Sequence, residues 1–146
     1  MVTTGEVRFE TLRSLEDAYA LWAQVRLRIG DVDSAREQSW RRYFERYGDR
    51  FLAAYASSGI LVGTAVVFFD GRKGSVYRVA VKEEWRRKGI ASRLISLAET
   101  TASSCGADSI YVLIESDSIA SGNLFSERGY DSMDTVRYFN KRLRNE

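Results

Sequence analysis

The residues best suited to chemistry stand together in Arg86-Arg87-Lys88-Gly89-Ile90-Ala91. A largely apolar run, Val76-Tyr77-Arg78-Val79-Ala80-Val81, precedes them, and Ser92-Arg93-Leu94-Ile95-Ser96-Leu97-Ala98-Glu99 follows. The pattern predicts a strand, a basic loop with one glycine, and a helix. The first N–H groups of a helix have no intrahelical partners, and with the helix dipole they favour an anion. A loop glycine lets that anion come close to the backbone. The segment is therefore suited to a phosphate or pyrophosphate. The same basic tripeptide would also suit a solvated helix start or a phosphate contact on a nucleic acid.

Composition narrows the chemistry. The chain has 146 residues and no histidine, which excludes Ser-His-Asp and Cys-His nucleophile schemes and histidine-based metal sites. The length suits one domain, 1–146. A net charge of +2 gives no global argument for a nucleic-acid or membrane partner. Cys105, the one cysteine, allows no intramolecular disulfide, so a reducing cytoplasm is the expected compartment. It falls at a predicted helix C-terminus, where the dipole disfavours thiolate, and is read as structural. No apolar run approaches the ~18 residues of a membrane span. The hydrophobic content of 45% is ordinary for a folded chain.

These groups need a scaffold to position them. Val7 to Leu12 reads as a short strand. Ser14 caps a helix to about Ile29, with Glu16 and Asp17 in its first turn and Leu15, Ala18, Tyr19, Trp22, Val25, Arg26 and Ile29 at helical spacing. Ser34 to Tyr47 is a second helix. Its stripe of Trp40, Tyr43, Phe44 and Tyr47 reads first as a buried face and second as the lining of an acceptor pocket. Arg36, Arg41, Arg42, Arg46 and Arg50 alternate there with Glu37, Glu45 and Asp49, as a solvated face does. Phe51 to Tyr55 and Ile60 to Phe69 form a hairpin through Ser57-Ser58-Gly59. Val76 to Val81 is a strand, Ile90 to Ser104 a helix ended by Gly106, and Ser109 to Ile114 a parallel neighbour of the strand before, in a βαβ unit. Ser118 to Arg128 is a helix stopped by Gly129. Val136 to Leu143 is expected to be a last strand; Tyr130, Tyr138 and Phe139 read first as core residues and second as flanking the acceptor. The fold class is α/β (α+β), a mixed, mostly antiparallel sheet with helices on both faces.

The element order and Arg86-x-x-Gly89-x-Ala91 resemble the GCN5-related N-acetyltransferases, which use acetyl-coenzyme A. A second segment, Leu124-Phe125-Ser126-Glu127-Arg128-Gly129-Tyr130, resembles the family's late Leu-Tyr-x-x-x-Gly-Phe motif. It follows the first after one helix and one strand. The resemblance is close from Val76 to Tyr130 and rests on element order before that.

The resemblance implies that the pyrophosphate lies over the N–H groups of Arg87, Lys88, Gly89, Ile90, Ala91 and Ser92. Gly89 and Ala91 stand where larger side chains would push it away. Arg86, Arg87 and Lys88 are placed for the coenzyme's other phosphate. The pantetheine arm would run along the strand segment Val79, Ala80 and Val81, bonded to the backbone of Val79 and Val81. Ser118 stands where many members carry an Asn on that arm, and it is also a natural helix cap. Phe125 stands where many carry a Tyr that protonates the leaving thiolate. A carboxylate often found at the position of Tyr77 or near Leu113 is missing, which leaves Tyr77 and Glu115 as candidates to relay the amine's proton.

The implied function is transfer of an acetyl group from acetyl-CoA to a primary amine, by direct attack in a ternary complex. The acceptor would be a small molecule or a peptide. No metal, nucleic acid or membrane is expected, and a homodimer through the late strands is compatible with the family. The missing Tyr and carboxylate give a second reading, an acetyl-CoA-binding sensor or subunit with weak turnover.

Overall fold

The computed structural model describes residues 6–25, 34–114 and 119–143. Five strands, β1 (Val7–Thr11), β2 (Phe51–Ala56), β3 (Leu61–Phe69), β4 (Gly74–Val81) and β5 (Ile110–Val112), form one sheet in that spatial order. The first four are antiparallel and β5 lies parallel to β4. The helices are α1 (Leu15–Val25), α2 (Ser34–Tyr47), α3 (Ile90–Cys105) and α4 (Ile119–Glu127). The β4-α3-β5 crossover is the expected βαβ unit.

Local chemistry explains the helix ends. The Ser14 hydroxyl accepts a hydrogen bond from the Asp17 N–H at 3.4 Å, and Glu16 and Asp17 sit in the first turn of α1. At the other end of α3, Gly106 adopts φ 108°. The Gly106 N–H donates to the Ser103 carbonyl and the Ala107 N–H to that of Ala102, each at 3.0 Å, a Schellman closure that turns the chain toward β5.

Each face of the sheet carries its own core. On one, Ile90, Leu94, Ala98 and Ala102 of α3 pack on Val62, Val67, Val76 and Val81. Burying each large side chain contributes roughly 1.5–3 kcal/mol. Glycines bring α3 close: a Cβ on Gly63 would stand 3.1 Å from Leu94 Cδ1, and one on Gly74 only 2.8 Å from Ala102 Cβ. On the other face, Leu15, Ala18, Leu21 and Trp22 of α1 pack with Phe51 and Tyr55. Three residues of the α2 stripe belong to this core: Trp40, Tyr43 and Phe44 all contact the Phe51 ring, while Tyr47 packs only on Tyr43 among the rings of that stripe.

The structure departs from the sequence expectation at its C-terminal end. Residues 131–143 contain no strand, and β5 spans three residues where six were expected. Tyr138 and Phe139 are exposed, the latter at 80%, so neither is a core residue. Alternation at Val136 and Tyr138 supplies strand propensity, but a strand exists only where a ladder partner lies alongside. Arg26 and Ile29, expected at the end of α1, lie outside the described residues.

Candidate active site

β4 and β5 pair at Gly74–Ile110, Ser75–Tyr111 and Val76–Val112, and the ladder then stops. Past Val76 the facing edges part, and a cavity of about 730 Å³ occupies the gap. Tyr77 to Val81 form one wall, Val112 to Ile114 the other, and residues from the starts of α3 and α4 complete it.

A β-bulge shapes the first wall. Thr64 pairs with Ala80 and Val66 with Tyr77, so Ala65 stands opposite both Arg78 and Val79. Arg78 takes up the extra residue with φ 58°, a left-handed conformation uncommon for arginine. Side-chain order follows. Val76 and Val79 pack toward α3, while Tyr77 packs edge-on against Phe68, on the opposite face, at 4.9 Å. The Arg78 guanidinium lies on that same face, 5.1 Å from the Trp22 ring and 5.2 Å from the Trp40 ring. Thr64 secures the bulge: the Trp22 indole N–H donates to the Thr64 hydroxyl, and this donates to the Arg78 carbonyl, both at 2.8 Å.

At the far end of β4, Gly63 and Val81 are a pair without mutual hydrogen bonds. The flanking bond runs from the Lys82 N–H to the Val62 carbonyl at 2.9 Å. The backbone groups of Val81 therefore face the gap. The Val81 carbonyl accepts from Arg86 Nε at 3.0 Å, which leaves its N–H for a ligand strand.

The basic loop then enters α3 through two left-handed residues, Arg87 at φ 62° and Gly89 at φ 79°. Gly89 is the N-cap, and no side chain caps the helix. The first-turn N–H groups of α3 thus meet the cavity at its edge, a fit for a phosphate. A side chain at Gly89 would be strained in its conformation and would crowd that approach.

Opposite, α4 holds the Phe125 ring against the cavity, 5% exposed. The end of α4 is tied to α3. Arg128 donates to the Ser96 hydroxyl and lies 3.6 Å from Glu99, and the Tyr130 hydroxyl donates to Glu99 Oε2 at 2.8 Å. The Tyr130 ring meets Phe125 edge-on at 5.0 Å. Burial and the Glu99 carboxylate push the Tyr130 phenol well up from its ordinary value, and its hydroxyl is committed to this clamp. Burial also raises Tyr77, with the Tyr111 and Tyr138 phenols adding to the effect, so Tyr77 is protonated at neutral pH.

One cavity therefore gathers Tyr77, Val79, Ala80, Val81, Arg86, Arg87, Gly89, Ile90, Ala91, Ser92 and Phe125. Lys88 is not among its lining residues. Arg86 turns back to the β4 terminus, an arrangement distinct from the phosphate contact implied for it. Glu115 and Ser118 lie outside the described residues. Leu113 lines the second wall as an apolar residue where the family often has a carboxylate. Sequence reasoning did not single out Arg78, Trp85 or Ser121, which also line the cavity. The one available signal was an arginine inside an otherwise apolar strand. Among the described residues, no cluster of His, Cys, Asp and Glu could hold a metal ion, and no helix is long and apolar enough to cross a membrane.

Comparison with known proteins agrees with this geometry. Residues 12–130 match the acetyltransferase (GNAT) family. A curated protein described as an acetyltransferase, from Sodalis glossinidius (strain morsitans), is 28% identical over 138 residues, covering 94% of this chain and 95% of its own. Among solved structures, a NatC complex bound to Gag peptide and CoA aligns with a TM-score of 0.72 at 20% identity, covering 88% of this chain and 86% of that one. An aminoglycoside N-acetyltransferase in complex with CoA aligns with a TM-score of 0.69 at 14% identity, covering 93% and 95%.

Proposed function

The chain belongs to the GNAT family of acetyltransferases, and on that premise we propose that it transfers the acetyl group of acetyl-CoA to a primary amine within one ternary complex. The observation that carries the reading is the gap between β4 and β5, with uncapped α3 N–H groups at one end and Tyr77 at the other. Bound acetyl-CoA supplies an activated thioester whose thiol, with an ordinary pKa of ~8.5, is a tolerable leaving group.

The chain's own residues do the rest. N–H groups from Arg87 to Ser92 hold the pyrophosphate, aided by the dipole of a helix sixteen residues long. The Val79 backbone and the Val81 N–H align the pantetheine arm as an added strand would be aligned. This fixes the thioester beside the bulge and brings the amine into reach, which is the main source of rate when acid and base help are weak. Phe125 packs against the arm and gives no proton. Tyr77, protonated at neutral pH, passes the amine's proton on as a relay and does not serve as a standing phenolate base; Glu115 is the candidate to receive it. The acceptor class is a small-molecule or peptide amine, the kinds of acceptor named for the neighbouring structures.

A thiol-release assay with acetyl-CoA and a panel of primary amines tests the reading. Saturable, amine-dependent CoA release is the expected result. Tight acetyl-CoA binding with no release above background for any amine would favour the sensor reading.

A further inference from the structure

We propose that the acceptor amine is borne on an apolar or aromatic body, and that Tyr77, Leu113 and Tyr111 hold that body beside the thioester. The inference rests on acetyl transfer in the β4–β5 gap and names the acceptor class for that site. Register places these side chains around one end of the gap. Ser75 stands opposite Tyr111 and Val76 opposite Val112 in the parallel pair. Val76 packs toward α3, so Tyr111 and Tyr77 both project from the other face. Tyr77 lines one wall of the cavity, and Leu113, two residues on from Tyr111, lines the other. Val25, from the helix that packs on this face, adds to the apolar lining.

The core does not use up these surfaces. Tyr77 and Leu113 are half-buried, and Tyr111 is 41% exposed although it stands on the sheet. Tyr138 is 62% exposed, and the Tyr111 and Tyr138 phenols lie close enough to Tyr77 to act on its proton. An open aromatic patch continuous with a cavity suits a ligand part that it can stack on and desolvate. Because the patch begins at the reacting end of the gap, the acceptor's own body is what covers it. Charge in the cavity does not favour a polycation. Arg78 is buried against the Trp22 and Trp40 rings, and Arg86 turns back to Val81. Among the described residues lining the cavity there is no aspartate or glutamate to pair with the further ammonium groups of a polyamine or an aminoglycoside.

Matched acceptor pairs isolate the apolar body: phenethylamine against 2-methoxyethylamine, and a tripeptide amide with N-terminal phenylalanine against the same peptide with N-terminal serine. In one pair at least, kcat/KM for the apolar member should exceed that of its partner by about tenfold or more. The pair that responds distinguishes a free arylalkyl amine from a peptide N-terminus. Leu113→Ser and Tyr111→Ser should each lower that ratio by about threefold or more. Acetyl-CoA affinity measured by calorimetry, and kcat/KM for the polar member, should stay within about twofold of wild type, which a general loss of structure would not allow. If Leu113→Ser does not fold, the exposed position of Tyr111 keeps the test open. Ratios at or below one in both wild-type pairs, a preference for spermidine or neamine over all four compounds, or a wild-type ratio retained in either folded variant would each overturn the proposal. If acetyl-CoA does not bind, or no amine releases CoA, the transferase reading falls and this inference falls with it. CoA release with a preference for the polar or polycationic acceptors removes this inference alone.

Discussion

Tyr77 and Arg78 are neighbours in the chain, yet both side chains project from the same face of the sheet, Tyr77 against Phe68 and Arg78 against the adjoining Trp22 and Trp40 rings. In regular β structure they would point to opposite faces. The extra residue opposite Ala65 breaks the alternation and carries Arg78, a charged residue, to the side of the cavity where Tyr77 stands.

The bulge depends on Thr64, which links the Trp22 indole to the Arg78 carbonyl. Thr64→Val keeps the shape and removes both bonds, leaving a buried N–H and a buried carbonyl without that partner. The expected loss is about 1–3 kcal/mol in urea unfolding, read as a lower midpoint at unchanged slope. A variant as stable as wild type would show that the relay does not support the bulge.

Close approach of α3 to β4 gives a second expectation. Gly74→Ala places a methyl group 2.8 Å from the Ala102 Cβ, a contact the backbone must move to relieve. Overpacking of this kind costs about 1–3 kcal/mol. Gly74→Ala combined with Ala102→Gly should be less destabilised than the sum of the single changes, since the second removes the opposing methyl. Simple additivity in a double-mutant cycle would contradict the packing described.

How much of this the sequence showed depends on the range of the forces involved. Gly89 and Gly106 were legible because left-handed helix boundaries are local and leave a glycine behind. The α3 helix and its parallel β5 neighbour were legible from periodicity and order. The bulge was not, because it is a matter of register between β4 and β3, fixed by Thr64 and Trp22 from distant parts of the chain. Arg78 consequently read as a strand residue with no site of its own. The expected strand at Val136–Leu143 failed for the related reason that pairing is decided by a neighbour and not by alternation. Phe125, in contrast, was found from its motif and does face the cavity.

Tyr130 ties pH to stability. Its phenol is raised in the folded protein, chiefly by burial and then by Glu99. The folded state therefore keeps this proton after the unfolded chain, near pKa ~10, has begun to lose it. Its contribution is fully present below pH ~10 and is lost as the pH climbs from there toward the folded value. Tyr130→Phe should cost about 0.5–1.5 kcal/mol at neutral pH and make the alkaline fall in stability shallower. The remaining slope belongs in part to Tyr43 and Tyr77, which burial also raises. An alkaline profile parallel to wild type would count against the clamp.

Proton transfer can be read at Tyr77. Tyr77→Phe keeps the ring on Phe68 and removes only the hydroxyl. A lowered kcat with little change in the KM for acetyl-CoA is expected, toward the low end of the ~10²–10⁴-fold range for a positioned proton-transfer group. Unchanged kcat across pH 6–9 would assign the relay elsewhere.

The most direct test is calorimetric titration of acetyl-CoA into the wild-type protein and into Gly89→Glu, with folding of both checked by thermal unfolding. The account predicts saturable one-to-one binding by wild type, and its loss in the variant, where a carboxylate and a strained backbone meet the phosphates at the start of α3. Binding that survives Gly89→Glu unchanged, or a folded wild type that does not bind acetyl-CoA, would contradict it.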